Sequence, residues 1–175
     1  MRIIAGKYKR KKIKHITLSS VRPTTDRAKE GLFNILENRY NFNSKSVLDL
    51  FSGTGSISFE FLSRGCHESI AIDSNQKCID HINKINKELN LNIMAIKNDT
   101  QQYIKLCDVK FDFIFMDPPY RYSYYYEVIN LILNKNLIKK NGALIIEHDS
   151  NNSFDEIPNI EKRKYGNVYF SILSF

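Results

Sequence analysis

Asp117-Pro118-Pro119-Tyr120 closes an apolar run, Phe111 to Met116, that reads as a buried strand. Each proline fixes φ, lacks an N–H and holds the residue before it extended. The carbonyls at this corner are therefore stiffly presented, and no helix absorbs them. Asp117 adds an anionic acceptor, and Tyr120 adds a flat ring with a polar tip. Together they suit a planar molecule with an exocyclic amine. The amino hydrogens go to the Asp117 carboxylate and the Pro118 carbonyl, and the ring stacks on Tyr120. The plain alternative is a strand end followed by a Pro-Pro turn.

Three further acids, Asp49, Asp73 and Asp99, fall in or just after earlier apolar runs, each about one strand–helix unit from the next. Acids at strand ends commonly cap helices, so each alone is a weak signal. Four along one sheet edge, around one glycine loop, are a stronger one. The loop Asp49-Leu50-Phe51-Ser52-Gly53-Thr54-Gly55 brings backbone close to a ligand, because glycine has no Cβ and tolerates positive φ. Ser58 stands where the dinucleotide fingerprint has its third glycine, and no Lys follows as in a phosphate-binding P-loop. A nucleoside is therefore expected rather than a diphosphate. Asp73 is placed to accept both hydroxyls of a ribose, and Asp99 with Asn98 to accept from an adenine amino group. S-adenosylmethionine (SAM) meets these requirements. Asp49 either orients the cofactor's amino group or braces the glycine loop.

The elements that must position these residues alternate. Ala28, Leu32, Ile35 and Leu36 mark a helix running to about Arg39, with Thr25 or Asp26 as its cap. Strands are expected at 47–50, 70–72, 93–96, 111–116 and 142–147. Helices are expected at about 56–63, from about Asn75 to Leu89, at 101–107 and around Tyr126, Ile129 and Leu133. Gly166-Asn167 joins two final strands, 160–165 and 168–173, as an antiparallel hairpin. The pattern predicts an α/β fold, a doubly wound, mostly parallel seven-stranded sheet whose ligands bind beyond the carboxyl ends of the strands.

Of the 26 Lys and Arg residues, seven lie in residues 1–15 without a single acid, leaving 19 against the 19 acids of the remainder. All the excess charge sits in one arm, which points to a polyanion. Ile3, Ile4, Ile13 and Ile16 interleave with the arm's charges, so it reads as a small basic β-hairpin with strand signals at 2–5 and 13–18 and with Lys7, Lys9, Arg10, Lys11 and Lys12 as its candidate RNA contacts. We divide the chain into this arm, 1–20, and a domain, 21–175. Cys66, Cys78 and Cys107 are scattered, as are the four histidines, so neither a metal site nor a disulfide framework is expected. Cys78 and His81 share a helix face as a packed or solvated pair. No apolar run is long enough to span a membrane. A cytoplasmic location follows as the expectation.

Val47 to Gly55 resembles motif I of class I SAM-dependent methyltransferases, and Asp117-Pro118-Pro119-Tyr120 resembles their amino-methylating motif IV. Arg2 to Tyr8, Arg22-Pro23-Thr24-Thr25-Asp26-Arg27 and Glu30 to Leu36 are similar to the RsmD family, and the likeness extends to Tyr165-Gly166-Asn167. That resemblance implies methylation of guanine N2 in 16S ribosomal RNA, within an assembled or assembling small subunit. It also implies catalytic roles for Asp117, Pro118 and Tyr120. The chain ends at Phe175, close after its last strand, so RNA contacts beyond that strand are expected to be reduced. Arg22 is a candidate phosphate contact or active-site floor, with a helix-start salt bridge as its alternative. Tyr122, Tyr124, Tyr125 and Tyr126 offer a stacking surface, with Tyr126 expected in the core. The rival functions are a DNA adenine-N6 methyltransferase and a non-catalytic RNA-binding or assembly protein. A monomer is the default.

Overall fold

The computed structural model describes residues 1–14, 25–119 and 122–175. Arg22, Tyr120 and most of the expected 13–18 strand lie outside the described residues. The elements run α1 (Asp26–Arg39), β1 (Ser46–Leu50), α2 (Ser56–Ser63), β2 (Glu68–Asp73), α3 (Gln76–Leu89), β3 (Ile93–Lys97), α4 (Thr100–Leu106), β4 (Phe111–Met116), α5 (Tyr125–Asn134), β5 (Ile138–His148), β6 (Glu161–Tyr165) and β7 (Val168–Ser174). They form one seven-stranded sheet in the order β3-β2-β1-β4-β5-β7-β6. The first five strands are parallel, and β7 runs antiparallel to both β5 and β6. After β3 the chain passes back beyond β1 to form β4 on its other side, so the order reverses between the ends of β1 and β4. In open α/β sheets that crevice is where ligands bind.

Every residue of β1 and β4 is buried, which explains why both read as continuous apolar runs. Side chains alternate between the two faces. Phe113 and Phe115 join Leu32, Phe33, Leu36, Phe59, Phe61 and Ile82 under α1, α2 and α3. Ile114 and Met116 join Ile104, Val128, Ile129 and Ile132 under α4 and α5. Each such side chain contributes on the order of 2 kcal/mol by leaving water. Phe61 stacks on Phe113 with ring centroids 5.3 Å apart, and Phe33 meets Phe61 edge-on at 4.7 Å.

Two elements differ from the sequence expectation. The strand expected at 142–147 begins at Ile138, where it pairs with Phe111 across a register shift. The polar run Lys139-Lys140-Asn141 hides this start, although Lys139 is there to meet Asp112 at 2.9 Å. Among the described residues the arm pairs through an antiparallel bridge between Arg2 and Lys12, one residue before the expected second strand. The Ile3 N–H donates to Lys11 O and the Arg10 N–H to Ile3 O. Ile3 and Ile13 are buried, while the arm's lysines and arginines are exposed. Alternation alone leaves the register open; here the burial of both isoleucines fixes it.

Candidate active site

Of four helices that begin beside the sheet's carboxyl edge, three carry a side-chain cap and one does not. Thr25 caps α1 by accepting from the Ala28 N–H at 3.2 Å. Asn75 caps α3 through the Lys77 N–H at 3.0 Å, and Asp99 caps α4 through the Gln102 N–H at 3.0 Å. By contrast α2 has Gly55 at its cap position, at φ 79°, with no side-chain acceptor. The turn before it is tight: Ser52 N–H donates to Ile72 O, and Gly55 N–H to Ser52 O. Phe51 and Gly53 also take positive φ. A Cβ on Gly55 would stand 2.8 Å from Ile82 Cγ1, so side chains are excluded on steric grounds as well.

This turn opens onto a cavity of about 390 Å³, well within the usual range for small-ligand sites. Asp49, Phe51, Gly53, Asp73, Asn98, Asp99, Asp117 and Pro118 all line it. The structure therefore gathers every described candidate cofactor and catalytic residue except Gly55, which shapes the turn from behind. The candidate RNA residues Lys7, Lys9, Arg10, Lys11 and Lys12 are absent from the lining and stand exposed on the arm.

The hydrogen bonds narrow what each acid can do. Asp73 accepts the Gly53 N–H at 2.8 Å on Oδ2 and the Asn75 N–H at 2.8 Å on Oδ1. A carboxylate has about four acceptor positions, so Asp73 both locks the glycine turn and keeps capacity for hydroxyl donors. Asp49 accepts Ser58 N–H at 3.1 Å and Ser58 Oγ at 2.6 Å, both on Oδ2. These bonds tie the end of β1 to the first turns of α2. Burial pushes the Asp49 carboxyl up to about 7, although the Ser58 bonds pull the other way. Asp117 is also raised well above the ordinary carboxyl range, first by burial and then by the charges of Glu147 and Asp49. The Pro119 carbonyl accepts the Tyr122 N–H at 2.7 Å, whereas the Pro118 carbonyl has no hydrogen-bond partner among the described residues.

Sequence reasoning missed Glu147, which lines the cavity at the end of β5 and is almost fully buried. Its signal was its place, an acid closing the fifth strand as Asp117 closes the fourth. The reading of the tyrosines needs correcting. Tyr125 is buried, while Tyr126 is exposed and donates to Ser153 O at 2.7 Å. The inward helical face is Tyr125, Val128, Ile129 and Ile132, so Ile129 faces inward as expected while Tyr125 and Ile132 take the places expected of Tyr126 and Leu133. Cys78 and His81 are both buried on α3, and among the described residues no group of acids, His and Cys could hold a metal.

Five carboxylates line the cavity, and among the described residues no Lys or Arg does. Such a lining fits a cationic ligand. Ser52 Oγ is buried there without a hydrogen-bond partner among the described residues, a polar atom that a bound ligand would satisfy. SAM, a sulfonium cation with ribose hydroxyls and polar amino-acid and adenine groups, matches both features. Sheet order, reversed β7 and this cavity at the glycine turn define a class I SAM-dependent methyltransferase fold, with SAM as cofactor.

The family model described as "Conserved hypothetical protein 95" matches residues 1–174. Two relatives from Buchnera aphidicola are each named "Ribosomal RNA small subunit methyltransferase D". The one from subspecies Baizongia pistaciae is 34% identical over 151 residues, 86% of this chain and 76% of the relative. The one from subspecies Acyrthosiphon pisum is 37% identical over 153 residues, 86% of this chain and 79% of the relative. Among solved structures, a putative methyltransferase from Escherichia coli superposes with a TM-score of 0.86 at 23% identity, covering 98% of this chain and 96% of that one. A putative methylase from Haemophilus influenzae gives a TM-score of 0.78 at 26% identity, covering 98% and 96%. The chain belongs to this family, the RsmD family of rRNA methyltransferases.

Proposed function

We propose that the protein methylates the exocyclic N2 amino group of a guanine in 16S ribosomal RNA, using SAM. One observation carries the reading. Asp117 and Pro118, the acceptors suited to an amine, line the same cavity as Asp73 and the glycine turn, the groups suited to a nucleoside. The family and its relatives' shared name supply the RNA class.

Bound SAM supplies an electrophilic methyl group on a sulfonium. The residues of this chain do the rest. Asp73 accepts the ribose hydroxyls, Asn98 and Asp99 meet the adenine, and Phe51, Gly53 and Gly55 shape the wall. Asp49 holds that wall to α2. The Asp117 carboxylate and the Pro118 carbonyl accept the two amino hydrogens of guanine, which favours a pyramidal nitrogen and aims its lone pair. Catalysis is then largely positioning. Asp117 takes up the proton released as the N–C bond forms and the C–S bond breaks. Tyr120, assigned from its motif position alone, stacks on the extruded base.

The arm supplies the polyanion contacts through Lys7, Lys9, Arg10, Lys11 and Lys12, joined by Arg22. On this reading 1–20 is an RNA-binding arm and 21–175 the methyltransferase domain. The substrate is an assembled or assembling small subunit, met by a monomer in the cytoplasm. Among the described residues no helix is long and apolar enough to cross a membrane. Labelled-methyl transfer to small subunits lacking the modification, followed by nucleoside analysis, tests the reading. N2-methylguanosine in the 16S RNA supports it. Label in adenine, or none in RNA, overturns it.

A further inference from the structure

The Lys29 amine is buried in the protein, its side chain about 1% exposed. Its Nζ donates to Arg2 O at 2.8 Å and to Ser56 Oγ at 3.1 Å, and stands 3.5 Å from Glu60 Oε2. An ammonium has three donors, and all three are directed. The partners join two parts of the machinery, the arm and helix α2. Arg2 is in the basic arm. Ser56 opens α2 and lines the cavity, and Glu60 lies one turn further along the same helix.

Glu60 extends the link. It is fully buried, and it accepts the Ile4 N–H at 2.8 Å and the Ala5 N–H at 3.0 Å from the arm. Arg64 Nε also donates to it at 2.8 Å. A third strand of contact runs from Thr54 Oγ1, on the cavity wall, to Met1 Sδ at 3.7 Å. The root of the arm is therefore bonded to the very helix whose uncapped start forms the cofactor wall. A docked arm and an ordered wall need the same amine in the same place.

We propose that Lys29 is a positioning residue that couples the arm to the cofactor cavity, so that RNA on the arm and SAM in the cavity tighten each other. The inference rests on the proposed assignment of arm and cavity. Coupling of this kind is reciprocal. RNA that immobilises the arm fixes Arg2 O, hence Lys29, hence Ser56 and the start of α2. A cofactor that orders the wall returns the effect to the arm. Lys29→Met removes the amine while Glu60 keeps Arg64 and two backbone donors, so one buried carboxylate is not abandoned. Ser56→Ala cuts only the bond to the cavity wall.

The experiment measures the affinity of S-adenosylhomocysteine by calorimetry, with and without saturating unmodified small subunits. The wild type should bind it about five-fold or more tightly with subunits present. In Lys29→Met and in Ser56→Ala that ratio should fall towards one. Lys139→Met, which disturbs the Asp112 cluster at the other end of the sheet, should lower stability yet keep the wild-type ratio. A wild-type ratio of one, or an undiminished ratio in both Lys29→Met and Ser56→Ala, overturns the coupling. Failure of the underlying assignment is distinguishable, because the wild type would then fail to bind the cofactor product or the subunits at all.

Discussion

Asp117 and Glu147 leave adjacent parallel strands side by side: Met116 of β4 is in register with Ile146 of β5, and the next residue of each strand is the acid. Both line the cavity, and the Glu147 charge helps hold the Asp117 carboxyl above its ordinary range. Two carboxylates in one desolvated corner cannot both ionise cheaply. The arrangement favours a cationic ligand, and it ties the state of the amine acceptor to its neighbour.

This gives a pH prediction. Asp117 can take up the released proton only when ionised, so kcat/KM should rise with pH through its raised pKa. Glu147→Gln removes a neighbouring negative charge and lowers that pKa. The rising limb of the profile, measured between about pH 5 and 9, should therefore move to lower pH. A limb that stays put would separate the two residues.

Asp49 predicts a stability effect of definite sign. Its folded-state pKa is raised from 3.8 to about 7. Below its unfolded pKa both states are protonated and the contribution is complete. As pH rises towards 7 the unfolded chain releases a proton that the folded protein retains, so stability is lost. Asp112 works the other way: against its burial, the Ser46 N–H and then the Lys45 and Lys139 amines hold it below the carboxyl range, and its contribution is lost in acid. Comparison with Asp49→Asn isolates the first effect. The Tm of the cofactor-free wild type, relative to the variant, should decline between about pH 4 and 7.

Gly55→Ala should fail for two reasons at once. Its φ of 79° strains an L residue, and the new methyl would lie 2.8 Å from Ile82 Cγ1. Denaturant melts should show a loss of at least about 1 kcal/mol, with weakened S-adenosylhomocysteine binding in calorimetry.

The arm cannot be tested by deletion, because Ile3 and Ile13 belong to the main core and Glu60 would lose two donors. Replacing Lys9, Arg10, Lys11 and Lys12 by Gln leaves those contacts in place. The dependence of log affinity for RNA on log salt should then flatten by about 0.7 to 0.9 for each phosphate contact removed. Cofactor affinity without RNA should not change.

The sheet was legible because its central strands are buried on both faces, so Val47 to Leu50 and Phe111 to Met116 advertise themselves as apolar runs. The glycine turn and four strand-end acids were legible for the same local reason. What escaped depends on contacts between distant parts of the chain. No local pattern marks Lys29 and Glu60, charged helix residues that are buried against each other and against the arm. Helix phase escaped at Tyr125 and Tyr126, where four consecutive aromatic or polar residues give periodicity nothing to choose between. Lys139 concealed the start of β5 because its charge is satisfied by Asp112 on the neighbouring strand.

The most direct measurement is a paired assay of Asp117→Ala: S-adenosylhomocysteine affinity by calorimetry, and labelled-methyl transfer to unmodified small subunits. If Asp117 holds the target amine against a cavity that binds the cofactor independently, binding should persist while transfer falls by at least about 10²-fold. Transfer near the wild-type rate would contradict the account.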